Sequence, residues 1–355
     1  MTNSKYPTAL FSTNLKFVDE NQYGGQLSIA GCSAINLVKE FGSPIFVLDQ
    51  DDFFMRTNAW RTALDTSFGS GQLYYAAESF ICVEVASWLK QLKVGLDVCS
   101  GGELAVALAA DFPASDIEFH GNNKSADEIT TAIKCAVGTI VIDSFDELER
   151  VALIAKSLGK IQKVYLRLTP GINAHTHEFI STAHEDVKFG FSIASGAASE
   201  ALDKCMSYAS LNLAGVHCHI GSQIFEVSGF EAAAKRLIDV LAKFRDKYAK
   251  ELPELNIGGG YGIAYTKAEQ AISPQDVIPA IAKVIKSECA KLNLSVPKIS
   301  IEPGRAIVGP TTTTIYLVGT TKSVTLDDGS IRRYVSVDGG MSDNIRPALY
   351  GATYS

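Results

Sequence analysis

The stretch ELNIGGGYG (254–262) places a short apolar run directly before a glycine-rich loop. The run has the length of a buried β-strand, and the close spacing of Gly258, Gly259 and Gly260 would let backbone N–H groups surround a phosphate. The loop does not match the dinucleotide-binding pattern G-x-G-x-x-G, because Ile263 stands where the last glycine would be. A tight turn between a strand and a helix would use the same glycines. The place of the loop in the order of strands therefore matters.

Eight apolar, β-rich runs occur along the chain, with amphipathic helical segments such as FDELERVALIAKSLG (145–159) between them. The runs are QLYYAA (72–77), VGLDVCS (94–100), IEFHGN (117–122), TIVIDS (139–144), KVYLRLTP (163–170), LAGVHCHI (213–220), ELNIGGG (254–260) and KISIEPG (298–304). Eight strands that alternate with helices over roughly 230 residues fit an α/β fold of the (β/α)8 TIM barrel type. A doubly wound open sheet is the alternative.

Polar or glycine-rich sequences lie at the exit of nearly every one of these predicted strands. They are Glu78, 97–100, 120–123, Asp143, Arg167, 219–222, 258–262 and 302–305. A ring of functional groups at the strand ends is typical of a TIM barrel, in which phosphate often binds after the seventh and eighth strands. Because the glycine-rich loop follows the seventh run, we predict a barrel over residues 46–300 with a phosphate site at that loop.

The two ends of the chain are predicted to form a second, all-β domain. Residues 311–340 alternate with period two and contain a DDG turn, which is typical of antiparallel strands. The first 45 or so residues are turn-rich and β-like. We expect residues 1–45 and 301–355 to make up a partial, Greek-key-like β-domain, in which so few strands would leave a sheet edge exposed.

Composition and charge argue against several classes of function. The chain has 355 residues and a formal net charge of −7, which disfavours nucleic acid or an anionic membrane as the main partner. No apolar stretch approaches ~18 residues and the N-terminus has no long apolar segment, so we predict neither a transmembrane helix nor a secretory signal. Seven scattered cysteines without a C-x-x-C pair disfavour a disulfide framework or a zinc ribbon and favour a cytoplasmic protein.

The motif HCHIGSQ (217–223) puts His217 and His219 on one face of a strand. The pair suits a metal site. It also suits an imidazole packed on a flat cofactor, with Ser222 donating a hydrogen bond to a phosphate. A histidine that is hydrogen-bonded within the barrel interior is the structural alternative.

The motif EPGR (302–305) closes the eighth run. Glu302 at a barrel mouth is suited to binding a metal, to acting as a base, or to pairing with a protonated pyridine nitrogen. Arg305 is suited to bidentate binding of a substrate carboxylate. An internal ion pair between the two residues is the structural alternative.

Two further segments are rich in polar side chains. HTHEFISTAHEDVKFGF (175–191) has three histidines, but their spacing matches no metal-binding pattern, so a polar barrel loop is the favoured interpretation and no metal is predicted. In DGGMSDNIRPALYGA (338–352), Arg346 and Tyr350 are four residues apart and would share a helical face. They are candidates for binding a second anionic group, and an inter-domain loop is the alternative.

Taken in order, these motifs resemble those of the bacterial diaminopimelate decarboxylases, a family of fold-type III pyridoxal-phosphate enzymes. The family has an alanine-racemase-like barrel with an added β-domain. The resemblance extends from about residue 42 to residue 352. The segments that carry it are YYAAES, DVCSGGEL, HGNNKS, HTHEF with HEDVKFGFS, HCHIGSQ, GGGYGI, EPGR and SVDGGMSDNIRPALYG.

The resemblance implies how a pyridoxal 5'-phosphate cofactor would be held. His219 would stack on the pyridine ring, and Glu302 would pair with the ring nitrogen and keep it protonated. Ser222 and the loop Gly258–Gly260 would bind the phosphate.

The resemblance also implies the substrate and the reaction. Arg305, Arg346 and Tyr350 would bind the distal end of a diamino dicarboxylic acid. The family decarboxylates meso-2,6-diaminopimelate to L-lysine, the last step of lysine biosynthesis, as a homodimer.

The chain departs from the family in two ways. The family's Schiff-base lysine falls at position 78, where this chain has Glu78. Because a carboxylate cannot form a Schiff base, we expect this chain to be essentially inactive. The family also continues past residue 355 with a segment that reaches the neighbouring subunit, so we expect this chain to be poorly dimerised. A non-catalytic binding protein that keeps the pocket is one alternative function. A metal-dependent barrel hydrolase using His175, His177, His217 and His219 is another.

Overall fold

The structure is a computed structural model that describes residues 10–21, 24–172 and 188–354. The described residues divide into two compact units. The first contains Thr57–Gly262 and Ile272–Ile307, and the second contains 10–56, Ile263–Ala271 and 308–354.

The strands follow one another along the described chain as follows. They are β1 (Leu15–Asn21), β2 (Gly24–Ile29), β3 (Cys32–Ser33), β4 (Ile45–Leu48), β5 (Gly71–Ala76), β6 (Gly95–Val98), β7 (Ile117–Phe119), β8 (Thr139–Ile142), β9 (Gln162–Thr169), β10 (Phe191–Ser192), β11 (Leu211–His217), β12 (Glu254–Asn256), β13 (Lys298–Ile301), β14 (Thr312–Ile315), β15 (Val318–Thr325) and β16 (Ile331–Val337).

The helices occupy most of the intervals between the barrel strands. They are α1 (Ala34–Phe41), α2 (Gln50–Phe68), α3 (Val83–Leu92), α4 (Gly101–Ala109), α5 (Ala126–Lys134), α6 (Phe145–Ser157), α7 (Ala197–Met206), α8 (Val227–Tyr248), α9 (Pro274–Lys291), α10 (Arg305–Thr311) and α11 (Arg346–Tyr350).

The first unit is a closed barrel of parallel strands in the order β5-β6-β7-β8-β9-β11-β12-β13. Pairing of β13 with β5 and of β8 with β9 completes the ring. These eight strands are the eight runs identified in the sequence, so the predicted TIM barrel is confirmed and the open sheet is wrong. Because the strands are parallel, all of their carboxyl ends lie at one end of the barrel.

Serine caps fix where the strand exits turn into helices. Ser100 and Ser144 accept hydrogen bonds from the backbone N–H groups of Glu103 and Glu147, the third residues of α4 and α6. Each helix therefore begins within three residues of the preceding strand. The short loops that result hold the polar exit residues at the mouth of the barrel.

The barrel interior contains polar side chains in addition to apolar ones. Every residue of β6 and β8 is buried, as expected for strands enclosed on both faces. Glu118 on β7 and Asn256 on β12 are also fully buried. Buried polar groups require hydrogen-bond partners, so these two residues form part of a network.

The second unit contains small antiparallel sheets. β1, β2 and β3 form one, β4 pairs with β14, and β15 pairs with β16 across the turn that includes the DDG sequence. The predicted antiparallel strands drawn from both chain ends are therefore confirmed. Every residue of β16 is exposed. The domain boundaries at residues 46 and 300 stay predictions.

Among the helices that the structure describes, none combines the length and the apolar character that a membrane crossing requires.

Candidate active site

A cavity of about 290 Å³ opens at the carboxyl ends of the barrel strands. Residues at the ends of six different strands contribute to it. It is lined by Ala76, Glu78, Asp97, Cys99, His120, Gly121, Asn122, Arg167, Phe189, His217, His219 and Glu302. Six of the eight strand exits singled out in the sequence therefore converge on one cavity, which Asp143 and residues 258–262 do not line.

Glu302 lies at the buried end of this cavity, between two imidazoles. Its Oε1 is 3.2 Å from Nε2 of His120, and its Oε2 is 3.2 Å from Nε2 of His217. Burial opposes ionisation, but these two histidines outweigh it and hold the pKa of Glu302 well below its usual value. Glu302 is therefore an anion inside the barrel.

His120 is the cationic partner in this cluster. Besides Glu302, its Nε2 lies 3.5 Å from Glu118 and 3.6 Å from Asp97. Burial acts against protonation, but the nearby carboxylates, Asp97 first, raise the pKa of His120 well above its ordinary value. Burial raises the pKa of both Asp97 and Glu118.

His219 lines the cavity as a neutral imidazole. Its Nδ1 accepts a hydrogen bond of 3.4 Å from the backbone N–H of Gly259. Burial, and then the charge of Arg167, lower the pKa of His219 to about 3. A neutral, flat ring at the wall of a cavity is suited to stacking on another flat ring.

The glycine-rich loop packs against the protein's own backbone. Gly258 and Gly260 have φ of +72° and +95°, and a Cβ at either would lie 2.3 Å and 1.9 Å from the carbonyl oxygens of Cys218 and Gly221. This packing alone requires glycine at both positions. The amides of Gly258 and Gly259 donate to Asn256 and His219, within the protein.

Ser222 and Arg305 lie next to each other in the barrel unit. The Arg305 guanidinium donates to the Ser222 hydroxyl across 3.2 Å. The structure thus brings together one predicted phosphate ligand and one predicted substrate ligand.

Glu78 lies in the short 3₁₀ turn Ala77–Ser79 directly after β5 and is exposed to the cavity. The thiol of Cys99 approaches its Oε2 at 3.6 Å. Burial raises the pKa of Cys99 well above its usual value, so the thiol is protonated. No lysine lines the cavity among the described residues, and Lys124 is buried in an ion pair with Glu147.

Arg346 and Tyr350 lie in the second unit, on α11. The guanidinium of Arg346 lies over the ring of Tyr350 at 5.4 Å and over the ring of Tyr265 at 5.1 Å. The expectation that the two residues share a helical face therefore holds. Nε of Arg346 is buried and has no hydrogen-bond partner among the described residues.

A group with metal-binding geometry is present, but it differs from the one considered in the sequence. Ligand atoms of His120, His217 and Glu302 lie within 4.8 Å of one another. His219 is not in this group. His175 and His177 lie outside the described residues.

Sequence reasoning assigned no specific role to three side chains of the cavity region. Asp97, Arg167 and His120 all line the cavity, and Arg167 lies over the ring of Phe189 at 4.5 Å. Each belongs to a strand exit that was singled out in the sequence, so the polar exit pattern marked their location. Their mutual distances depend on barrel closure, which a motif does not encode.

Comparisons with known proteins agree with this geometry. Residues 50–309 match the family described as pyridoxal-dependent decarboxylase, pyridoxal binding domain. A diaminopimelate decarboxylase of Mycobacterium tuberculosis is 50% identical over 335 residues, covering 93% of this chain and 74% of the relative. Those of Corynebacterium efficiens and Bacillus subtilis are 46% and 41% identical and are covered to 72% and 75% of their lengths, with 94% of this chain matched in each case.

The chain belongs to the diaminopimelate decarboxylase family.

Solved structures of diaminopimelate decarboxylases share the fold. One from M. jannaschii, in co-complex with L-lysine, has a TM-score of 0.87 and 30% identity, covering 97% of this chain and 77% of that one. One from Helicobacter pylori, complexed with L-lysine, has a TM-score of 0.79 and 30% identity over 90% of this chain and 76% of that one. This diaminopimelate decarboxylase homologue is thus a carboxy-lyase family member whose family cofactor is pyridoxal 5'-phosphate.

The cavity residues fit part of that cofactor. A buried anionic carboxylate, Glu302, matches a protonated pyridine nitrogen, and a neutral imidazole, His219, matches a flat ring. A Schiff base requires a primary amine, and no lysine lines the cavity among the described residues.

Proposed function

We propose that this chain binds pyridoxal 5'-phosphate and a diamino dicarboxylic acid in the barrel cavity, and that its family reaction is impaired. That reaction is decarboxylation of meso-2,6-diaminopimelate to L-lysine. The observation that carries the proposal is Glu302, an anion held between His120 and His217 at the buried end of the cavity. Few cofactors call for a buried carboxylate opposite a protonated ring nitrogen.

Bound pyridoxal phosphate supplies an electron sink for the pair left behind when carbon dioxide departs. Glu302 would hold the protonated ring nitrogen through its anionic oxygen. His219 would pack against the flat ring, and its neutral imidazole adds no charge that would compete with Glu302. Glu302 is almost completely buried, so the barrel keeps water from its carboxylate.

The phosphate is assigned to Ser222 and to the loop of Gly258, Gly259 and Gly260. Two loop amides already donate to Asn256 and His219, so those bonds shape the loop. The Ser222 hydroxyl can accept from Arg305 while it donates to a phosphate oxygen. A dianion beside a guanidinium and a hydroxyl is a favourable arrangement.

The substrate's distal end is assigned to Arg305, Arg346 and Tyr350. Two guanidinium groups suit a substrate that carries a carboxylate at each end. The orphaned Nε of Arg346 supports an anion-binding role, because a buried donor without an acceptor is costly. Solved relatives are described in complex with L-lysine, which has the same distal amino group as the proposed substrate.

Glu78 accounts for the proposed impairment in three ways. It offers no amine for covalent attachment, and attachment positions reacting groups with effective molarities that reach ~10⁵ M or more. It cannot act as the ammonium proton donor after decarboxylation. Its charge repels the cofactor phosphate and the substrate carboxylates.

The test is a pair of substitutions at this position. Glu78→Lys supplies the amine, and Glu78→Gln removes the charge without supplying one. With pyridoxal phosphate and diaminopimelate, we expect Glu78→Lys to raise lysine formation by at least ~10³-fold over the unmodified chain. Glu78→Gln should change it by less than about tenfold. Turnover of the unmodified chain at ~1 s⁻¹ or more would contradict the proposed impairment.

A non-catalytic binding protein is the second candidate, and Glu78 is the observation that favours it. It shares the cofactor site with the first candidate but would not turn over in any variant. Calorimetry with pyridoxal phosphate and with diaminopimelate separates the two. Binding of both ligands without lysine formation in Glu78→Lys would favour the binding protein.

A further inference from the structure

Asn256 connects Glu302 and the glycine-rich loop, which belong to separate motifs in the sequence. Its Nδ2 lies 2.6 Å from Oε1 of Glu302 and 2.7 Å from Oε2 of Glu118, and its Oδ1 accepts from the backbone N–H of Gly258 at 2.9 Å. The side chain is fully buried. One amide group thus contacts the EPGR carboxylate, the glycine-rich loop and a second interior carboxylate.

The orientation of this amide is dictated by its neighbours. An ionised carboxylate only accepts hydrogen bonds, so the side facing Glu302 must be the NH₂ group. A backbone N–H only donates, so the side facing Gly258 must be the oxygen. A rotation of the Asn256 amide by a half turn would place an acceptor against Glu302 and a donor against Gly258. Both contacts would then be lost together.

Glu118 holds the amide in this orientation. Its Oε2 accepts from Asn256 and lies 3.5 Å from Nε2 of His120, and its Oε1 is buried without a hydrogen-bond partner among the described residues. A buried oxygen without a partner is unfavourable. Burial raises the pKa of Glu118, whereas the neighbouring His120 lowers it. Glu118 therefore orients the Asn256 amide through the oxygen that accepts its hydrogen bond.

We infer that Asn256 is a positioning residue that sets the Glu302 oxygen and the first turn of the glycine-rich loop at the same time, with Glu118 as its anchor. The inference rests on the proposed function, because Glu302 and the loop are assigned there to the ring nitrogen and the phosphate. It adds that the two ends of the cofactor site share one hydrogen-bonded support.

Two substitutions at position 256 separate the two ends. When its new carboxyl group is ionised, Asn256→Asp keeps an oxygen for Gly258 but has no donor for Glu302 and Glu118. Asn256→Leu loses both contacts. The glycine-rich loop should therefore be disturbed only in Asn256→Leu. The position of the Glu302 carboxylate should be disturbed in both variants.

The first measurement uses the cofactor-free protein, so it does not depend on the proposed function. Amide hydrogen exchange of Gly258 should be about tenfold faster or more in Asn256→Leu and near the wild-type rate in Asn256→Asp. Asn212→Asp, at an exposed position of β11, is the matched control and should leave the exchange rate of Gly258 unchanged. Unchanged exchange of Gly258 in Asn256→Leu would overturn the inference.

The second measurement compares affinities by calorimetry. Pyridoxal phosphate should bind both variants at least about tenfold more weakly, because a hydrogen bond to a charged group is lost. Inorganic phosphate should bind Asn256→Leu more weakly and Asn256→Asp at the wild-type level. Wild-type affinity of Asn256→Asp for pyridoxal phosphate would overturn the assignment to Glu302.

A third pair of variants covers the case in which changes at position 256 prevent folding. Glu118→Gln keeps an acceptor for Asn256, whereas Glu118→Leu removes it. Faster exchange of Gly258 is expected in Glu118→Leu alone, and equal rates in the two would overturn the anchoring role. If the wild-type chain binds no pyridoxal phosphate, the proposed function fails, and the exchange rates of Gly258 alone decide the inference.

Discussion

Nε2 of His120 lies 3.2 Å from Oε1 of Glu302, and both side chains are almost completely buried. The pKa of His120 is raised and that of Glu302 is lowered, so the two form an ion pair inside the barrel. A buried charge requires a partner, because desolvation of a lone ion costs several kcal/mol. The pair keeps an anion available at the end of the cavity where a cofactor ring nitrogen is proposed to lie.

Replacement of Glu302 by glutamine should weaken cofactor binding. The amide keeps the size of the side chain but presents no negative charge to a protonated nitrogen. We expect the affinity for pyridoxal phosphate, measured by calorimetry, to fall about 10–100-fold. Glu254→Gln, at the first residue of β12, is the control and should leave the affinity for pyridoxal phosphate unchanged. Equal affinities in Glu302→Gln and the wild type would remove Glu302 from the cofactor site.

The ion pair between Lys124 and Glu147 should contribute strongly to stability. Nζ of Lys124 lies 2.5 Å from Glu147 and also donates to the carbonyls of Gly121 and Val141, so it ties the exit of β7 to β8. Both side chains are at most 3% exposed. We expect Lys124→Met to lower the free energy of unfolding by about 3–5 kcal/mol, because it leaves a buried charge unpaired.

A double variant and a surface control check this explanation by chemical denaturation. Lys124→Met with Glu147→Leu should recover most of the lost stability, since no lone charge remains. Lys243→Met removes an exposed pair with Asp239 and should change stability by less than about 1 kcal/mol. A loss in Lys124→Met as small as that in Lys243→Met would contradict the account of the pair.

The neutral His219 should make the fold sensitive to acid. The unfolded chain binds a proton at this residue below about pH 6.5, whereas the folded chain does so only near its pKa of about 3. Stability is therefore complete above about pH 6.5 and decreases as the pH falls, by about 1.4 kcal/mol per pH unit for this group. Between about pH 7 and pH 5, the wild type should lose about 2 kcal/mol more than His219→Asn. Equal losses in denaturation experiments at the two pH values would show that His219 is not held neutral.

Strand order in the barrel could be predicted from sequence, but the contacts inside it could not. The eight runs are short, apolar and each followed by polar residues, and parallel closure then follows from right-handed βα connections. The cluster of Asp97, His120, His217 and Glu302 brings together residues up to 205 positions apart. Its distances depend on strand register, which no single motif contains.

The contacts of Asn256 and Glu118 could not be predicted from the sequence either. In the sequence each occupies a place in an apolar run and carries no motif of its own. Only the closed barrel reveals that one amide lies between two carboxylates. Arg346 and Tyr350 were predictable as a pair because helical spacing is local, whereas their assigned role toward a substrate rests on proposal.

The central claim is that this chain binds pyridoxal phosphate without a covalent link at position 78. The most direct test is borohydride reduction of the protein mixed with pyridoxal phosphate, followed by mass spectrometry of its peptides. In the unmodified chain we expect saturable binding but no pyridoxyl group on the peptide that contains residue 78 or on any other cavity residue. In Glu78→Lys we expect one pyridoxyl group at position 78, because that variant supplies the amine. Labelling of a cavity residue in the unmodified chain, or its absence at position 78 in Glu78→Lys, would contradict the proposed site.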